Sequence, residues 1–245
     1  MSEKYFDSYM IVYSKNELRK KNYENINKIF NNHLNYFEAI DTINNFEFWK
    51  NYSIKNNYST DKYINTEVKN NGKGKLGCNL SHFLLLQQIF EKYQINKKNN
   101  LNIVKWFLIL EDDVGINPKK NVSLFLNNLI KNLDKYLKVS KYIQLCIYPQ
   151  FLINQTKTPK LLTIEDGEGF IKIPQYGTCA YLIHIDAIEK MINIKPWDVN
   201  IDFLFNKCDK IFNSIAVLNH IFTCKGSCDS QDKNNEFGSL IWDNK

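Results

Sequence analysis

A mixed α/β fold on a mainly parallel sheet is what this sequence predicts, and three observations carry the prediction. A strand at 9–13, a helix running to about residue 32 and a strand ending at 37–41 form a βαβ unit, which demands parallel pairing. Trp106-Phe-Leu-Ile-Leu110 is an unbroken apolar run of strand length, as expected for a strand covered on both faces. No repeat and no Pro- or Gly-rich linker divides the 245 residues, so a single domain over 1–245 is the economical organisation.

Each element has its own signal. Tyr9-Met-Ile-Val-Tyr13 reads as the first strand, and Ser14-Lys-Asn-Glu17 has capping-box spacing for the helix that follows. Leu18, Ile26, Ile29 and Phe30 then recur at helical intervals, and Phe37-Glu-Ala-Ile-Asp41 ends the second strand. Residues 42–75 carry no clean period, a length that marks a functional segment (a lid over a site) or a plain surface insertion. Asn71-Gly-Lys-Gly-Lys-Leu-Gly77 is turn-rich and leads into a helix from about Asn79 to Tyr93. The central strand at 105–110 follows, then a helix over roughly 120–138 and a strand at Tyr142–Ile147. Strands near 161–164 and 170–173 flank a hairpin-like turn, Glu165-Asp-Gly-Glu-Gly169. Gly177–Ile183 reads as a strand, a helix runs from an Asp186 cap to Ile192, and Pro196 breaks it. A short helix at 201–208, a strand at 215–222 and a polar tail complete the chain.

Composition narrows the class. Thirty-two basic against twenty-six acidic residues leave +6, enough to favour an anionic ligand, but no dense basic run gives a nucleic-acid footprint. The polar N-terminus predicts no signal peptide, and no apolar run reaches the 18 residues of a membrane span, so a cytoplasmic location is expected. Cysteines stand at 78, 146, 179, 208, 224 and 228. Cys146 and Cys179 fall inside predicted strands, which favours buried thiols and a reducing compartment. Cys224 and Cys228 can pair or bind metal, but two ligands do not make a zinc site.

The chemistry centres on Glu111, Asp112 and Asp113, emerging from the C-terminal end of the apolar strand where open α/β sheets place their ligand crevice. Three adjacent carboxylates repel, and a hard divalent cation with oxygen ligands is the natural compensator, unless the stretch is simply a solvated turn. Gly77-Cys-Asn-Leu-Ser81-His82 opens the predicted helix, so free N–H groups there suit a phosphate, with Ser81 and His82 as added donors or as ordinary first-turn residues. Asp41 at a strand end suits a ribose or base, or a cap. Arg19 and Lys20 suit a diphosphate, or solvent. Asp202 sits where an N-cap would, or where a base is needed, and His220 is a core residue of its strand or a late metal ligand.

Taken in order, Gly77-Cys-x-x-Ser81-His82, Leu110-Glu-Asp-Asp-Val114, Gly177-Thr-x-Ala-Tyr181 and Ile201-Asp202, with Phe37-Glu-Ala-x-Asp41 before them, resemble glycosyltransferase family 25 over about residues 8–210. That family includes bacterial lipooligosaccharide galactosyltransferases and procollagen galactosyltransferases. The resemblance implies a GT-A type, Rossmann-like fold with a nucleotide-sugar half at about 1–115 and an acceptor half at about 116–245. It implies a UDP-sugar donor and Mn2+ (or Mg2+), with Asp113, Glu111 and His220 as metal ligands. Arg19, Ala39, Asp41, Gly77, Ser81, His82 and Glu111 would then hold the donor, while Asp202 and Asp112 are the catalytic candidates. Lys75 and Leu18-Arg19 depart from the family pattern of a Glu and an arginine pair, which bears on donor affinity and sugar choice.

The expected reaction is transfer of galactose or glucose to a hydroxyl, with inversion, by a carboxylate base opposite the departing UDP. The acceptor is either hydroxylysine of a collagen-like chain or a glycan or lipid sugar. The alternative from another class is a non-catalytic nucleotide- or polyanion-binding module on the same scaffold.

Overall fold

The computed structural model describes residues 6–69, 72–118, 120–146, 160–162, 170–172, 177–207, 213–217 and 221–225. Strand β1 (Phe6–Val12) lies between β2 (Asn35–Glu38) and β3 (Trp106–Glu111), parallel to both. β8 (Ala180–His184) pairs antiparallel with β3 and with β5 (Tyr142–Gln144), and β9 (Ile215–Val217) follows β5 in parallel. β7 (Phe170–Lys172) and β6 (Lys160–Leu162) close the sheet, giving the order β2-β1-β3-β8-β5-β9-β7-β6. β7 and β8 run against the rest, so the sheet is mixed with a mainly parallel strand direction, as expected. A ribbon of β4 (Val114–Ile116) and β10 (Phe222–Cys224) stands apart.

Two apolar layers cover the sheet, and the period-two alternation of β3 feeds both. Trp106, Leu108 and Leu110 join Ile26, Phe125 and Leu129 of α1 (Glu17–Ile29) and α5 (Val122–Lys131), next to α6 (Leu133–Val139). Phe107 and Ile109 join Leu80, Phe83 and Ile188 of α4 (Lys73–Lys98) and α7 (Ile185–Asn193), with α8 (Ile201–Lys207) on the same side. Parallel strands covered on both faces are uniformly apolar for this reason, which is why the run at 106–110 was legible.

Several boundaries differ from expectation. Residues 42–75 hold α2 (Phe46–Lys55), α3 (Asp61–Lys69) and the first turn of α4. The expected helix at 120–138 is two, divided at Asn132. The side chain that caps α1 is Asn16, accepting from the Leu18 and Arg19 N–H groups, while Ser14 bonds Glu38. His184, not Asp186, caps α7. The expected strand at 215–222 is divided between β9 and β10. The expected turn at 165–169 and the tail beyond 225 lie outside the described residues. Among the described residues, no helix is long and apolar enough to cross a membrane.

Candidate active site

β1 is the strand at which connection order reverses, with β2 to one side and β3 to the other, and ligand crevices open at such points beyond the strand C-termini. A cleft of about 670 Å³, open to solvent, lies there. Its walls come from the ends of β1 (Ile11, Tyr13), the segment after β2 (Ala39, Ile40), the start of α4 (Gly77, Cys78, Ser81, His82) and the acidic turn after β3. Eight of the expected site residues meet in it: Arg19, Ala39, Gly77, Ser81, His82, Glu111, Asp112 and Asp113.

The three acids have three different environments. Glu111 continues the alternation of β3 toward α4. Its Oε1 bonds His82 Nε2 at 3.0 Å and accepts from the Thr178 hydroxyl, while His82 Nδ1 meets the Tyr181 hydroxyl at 2.8 Å. Burial alone would push the Glu111 carboxyl up, but His82, Thr178 and Arg19 hold it below its usual value.

Asp112 turns the other way, onto α1. Its Oδ1 pairs with the buried Arg19 Nη1 and its Oδ2 accepts from the Tyr13 N–H at 2.7 Å, so both oxygens are engaged. Asp112 was expected in catalysis and Arg19 at a diphosphate; the structure shows them paired with each other in an anchor of the turn, at the wall of the cleft. Asn22, one turn on, reinforces the anchor by donating to the carbonyls of Asp112 and Val114. Lys20 is exposed.

Asp113 also lines the cleft, with thiols beside it: Cys179 Sγ at 3.7 Å from Oδ1 and Cys224 Sγ at 3.7 Å from Oδ2. Burial and the Glu111 charge push its carboxyl up to about 7. Among the described residues, no ion pair to Asp113 like that of Asp112 with Arg19 is seen. As a test of fit for a divalent ion, Glu111 and Asp113 both line the cleft and supply carboxylate oxygens, donors that suit Mn2+ or Mg2+. His220, the third expected ligand, lies outside the described residues.

The helix-start reading of Gly77 does not hold. α4 begins at Lys73, so Gly77 lies one turn inside it and its N–H is not among the free donors of a helix end. The glycine is needed for contact: a Cβ there would sit 2.6 Å from Thr42 Oγ1 and 2.7 Å from the Ile40 carbonyl oxygen. Ser81 works for the same junction, accepting from the Ile40 N–H and donating to the Gly77 carbonyl. Asp41 is outside the cleft lining, paired with Lys15 at 2.5 Å and accepting from the Asn44 N–H, which is its capping alternative.

Asp202 is no N-cap. It stands in the first turn of α8, where the Ile201 N–H is instead taken by Asn79 Oδ1. Burial, then the nearby Glu111 charge, pushes its carboxyl up to about 6, opposed by hydrogen bonds from Thr178 and the Gly177 backbone. Its Oδ1 is buried with no hydrogen-bond partner among the described residues. Thr178 therefore stands between two carboxyls, and together with Tyr181 it is the part of the site that residue-type reasoning passed over. Both lie in the Gly177-Thr-Cys-Ala-Tyr181 motif, so the signal was present as a motif without a role.

The profile of glycosyltransferase family 25 (LPS biosynthesis protein) matches residues 7–205. Among solved structures the chain is similar to a glycosyltransferase involved in the glycosylation of the major capsid of PBCV-1. That likeness has 15% identity and a TM-score of 0.44, over 94% of this chain and 97% of that one. No curated protein matches.

Proposed function

The chain belongs to glycosyltransferase family 25, and from that premise we propose that it moves galactose or glucose from a UDP-sugar to a hydroxyl of a glycan, using Mn2+ or Mg2+. The observation that carries the reading is the turn at 111–113, where all three acids line a cleft at the switch point of the sheet and one of them is paired with Arg19. A negatively charged cleft repels a diphosphate unless a cation sits between them, so the acids are explained together by a metal-bridged nucleotide. The glycan acceptor rests on the family's description as lipopolysaccharide biosynthesis proteins.

Asp113 and Glu111 would hold the ion, which would supply Lewis-acid neutralisation of the departing UDP. His82 and Thr178 fix the Glu111 carboxylate in one orientation, so little reorganisation is needed when the ligand arrives. Asp202 is the proposed base. A carboxyl raised to about 6 binds a proton better than an ordinary one while remaining mostly ionised at pH 7. It would take the proton of the acceptor hydroxyl as the sugar inverts in a single displacement.

The test is UDP release from a panel of UDP-sugars, with and without Mn2+, followed by transfer to lactose-type acceptors and to a hydroxylysine peptide. The expected outcome is metal-dependent release that a sugar acceptor accelerates and that Asp113→Asn abolishes while the fold is retained. Transfer to the peptide alone would move the acceptor to collagen-like chains. Tight, metal-independent nucleotide binding with no release would make the chain an inert binding module.

A further inference from the structure

Asp113 has more than oxygen around it. Cys179 stands immediately before β8, where its carbonyl accepts the Glu111 N–H at 2.9 Å. Cys224 ends β10 opposite Val114, and the next residue, Lys225, donates its N–H to the Asp113 carbonyl at 2.7 Å. Two separate stretches of backbone therefore clamp the acidic turn between two thiols. One carboxylate oxygen of Asp113 and the two sulfurs all lie within 4.8 Å of one another. Each thiol stands 3.7 Å from its own Asp113 oxygen, Cys179 from Oδ1 and Cys224 from Oδ2, against about 3.5 Å between sulfur and oxygen on a tetrahedral ion with Zn–S near 2.3 Å and Zn–O near 2.0 Å. A third sulfur, that of Cys146, adjoins Cys179, and none of the three is in a disulfide among the described residues.

We propose that Asp113, Cys179 and Cys224 form a binding site for a thiophilic divalent cation, Zn2+ in the cell, with Cys146 or water completing the tetrahedron. The charge balance of the turn favours this. Glu111, Asp112 and Asp113 crowd one strand end, and Arg19 is the cation paired among them. Two thiols turn that attraction toward a softer ion, since sulfur ligands select Zn2+ over Mg2+ or Mn2+. Binding displaces the thiol protons, so the S–H contacts to the carboxylate become metal bonds. The site stands without the transferase reading. Where that reading also holds, zinc here takes Asp113 from the donor's cation and inhibits transfer.

Cobalt makes the site visible, because thiolate-to-cobalt charge transfer absorbs in the near ultraviolet independently of any turnover. The full chain is reduced, stripped of metal and titrated with CoCl2, in a Cys78→Ser, Cys208→Ser, Cys228→Ser background that leaves only the three clustered cysteines. The expected result is a saturable thiolate band that ZnCl2 abolishes, that is absent in Cys224→Ser and that is weakened in Asp113→Asn. Circular dichroism checks each variant's fold, and Cys179→Ser serves as a second deletion should Cys224→Ser be misfolded. No thiolate band in the background protein, or a band unchanged by removal of either sulfur, overturns the proposal and leaves the cysteines as weak donors to a carboxylate.

Discussion

Arg19 and Asp112 face each other with their side chains only 7% and 6% exposed, so each depends on the other for its charge. Removing one partner of such a pair leaves the other charged and unsolvated. Arg19→Met is therefore expected to destabilise the fold by about 3–5 kcal/mol in urea denaturation at pH 7, and adding Asp112→Asn should recover most of the loss. This pair also explains a misjudged helix face. Leu18 and Ile29 fit the apolar period of α1 but are 54% and 43% exposed, while Arg19 and Asn22 point inward to serve the acidic turn. A buried cation is unreadable from periodicity because its partner lies 93 residues away. His184 supplies a pH-dependent case. Its Nδ1 accepts the Asp186 N–H and its ring packs on Trp106, and burial lowers its pKa from 6.5 to about 4. The folded state disfavours protonation, so stability present above pH 6.5 is lost as pH falls toward 4, by an amount on the order of 3 kcal/mol. Asn at this position keeps a cap acceptor without titrating, and thermal melts of His184→Asn should lose this share of the slope between pH 6.5 and 4.

α4 shows how an element can be present in sequence and misjudged in extent. Glycines at 72, 74 and 77 each disfavour helix by about 1 kcal/mol, which is why the segment reads as a turn leading to Asn79. Packing overrides that preference: Thr42 Oγ1 donates to the Lys73 carbonyl, and the backbone at Ile40 presses against Gly77. Gly77→Ala improves helix propensity, yet it should destabilise by roughly 1–3 kcal/mol because the Cβ meets backbone that cannot swing aside. A chemical denaturation midpoint higher than that of the parent would show that α4 can shift away from the 40–42 segment. The same element brings His82 to Glu111 and Asn79 to the start of α8, so its register sets the geometry of the cleft. α2 and α3 were hidden by the prevalence of Asn, Lys and Tyr, which blurs the contrast between faces on which a helical period depends. Tyr58, in the turn after α2, packs on Tyr52 locally and on Phe83 of α4, a contact that exists only once α4 is beside it.

At the scale of the molecule, the cleft joins parts far apart in the chain: the end of β1, the segment after β2, α4 and the acidic turn. A ligand bridging them stabilises the whole fold by mass action, about 2.7 kcal/mol at a concentration 100 times its Kd. Under the proposed function, UDP with Mn2+ should raise the melting temperature more than either alone, and Asp113→Asn should remove the synergy. Equal shifts with UDP alone would argue against a metal bridge. The sequence by itself determined that a doubly covered strand ends in acids and that a mixed α/β sheet surrounds it, because strand sterics and unbroken apolarity are local properties. It also marked most of the cleft, because the motif residues stand near the strand ends where crevices form. Only the tertiary structure decided what each acid does. Neighbouring carboxylates point to different layers, and the packing of those layers gave Glu111 a histidine, Asp112 an arginine and Asp113 two thiols, from partners that no local pattern brings together.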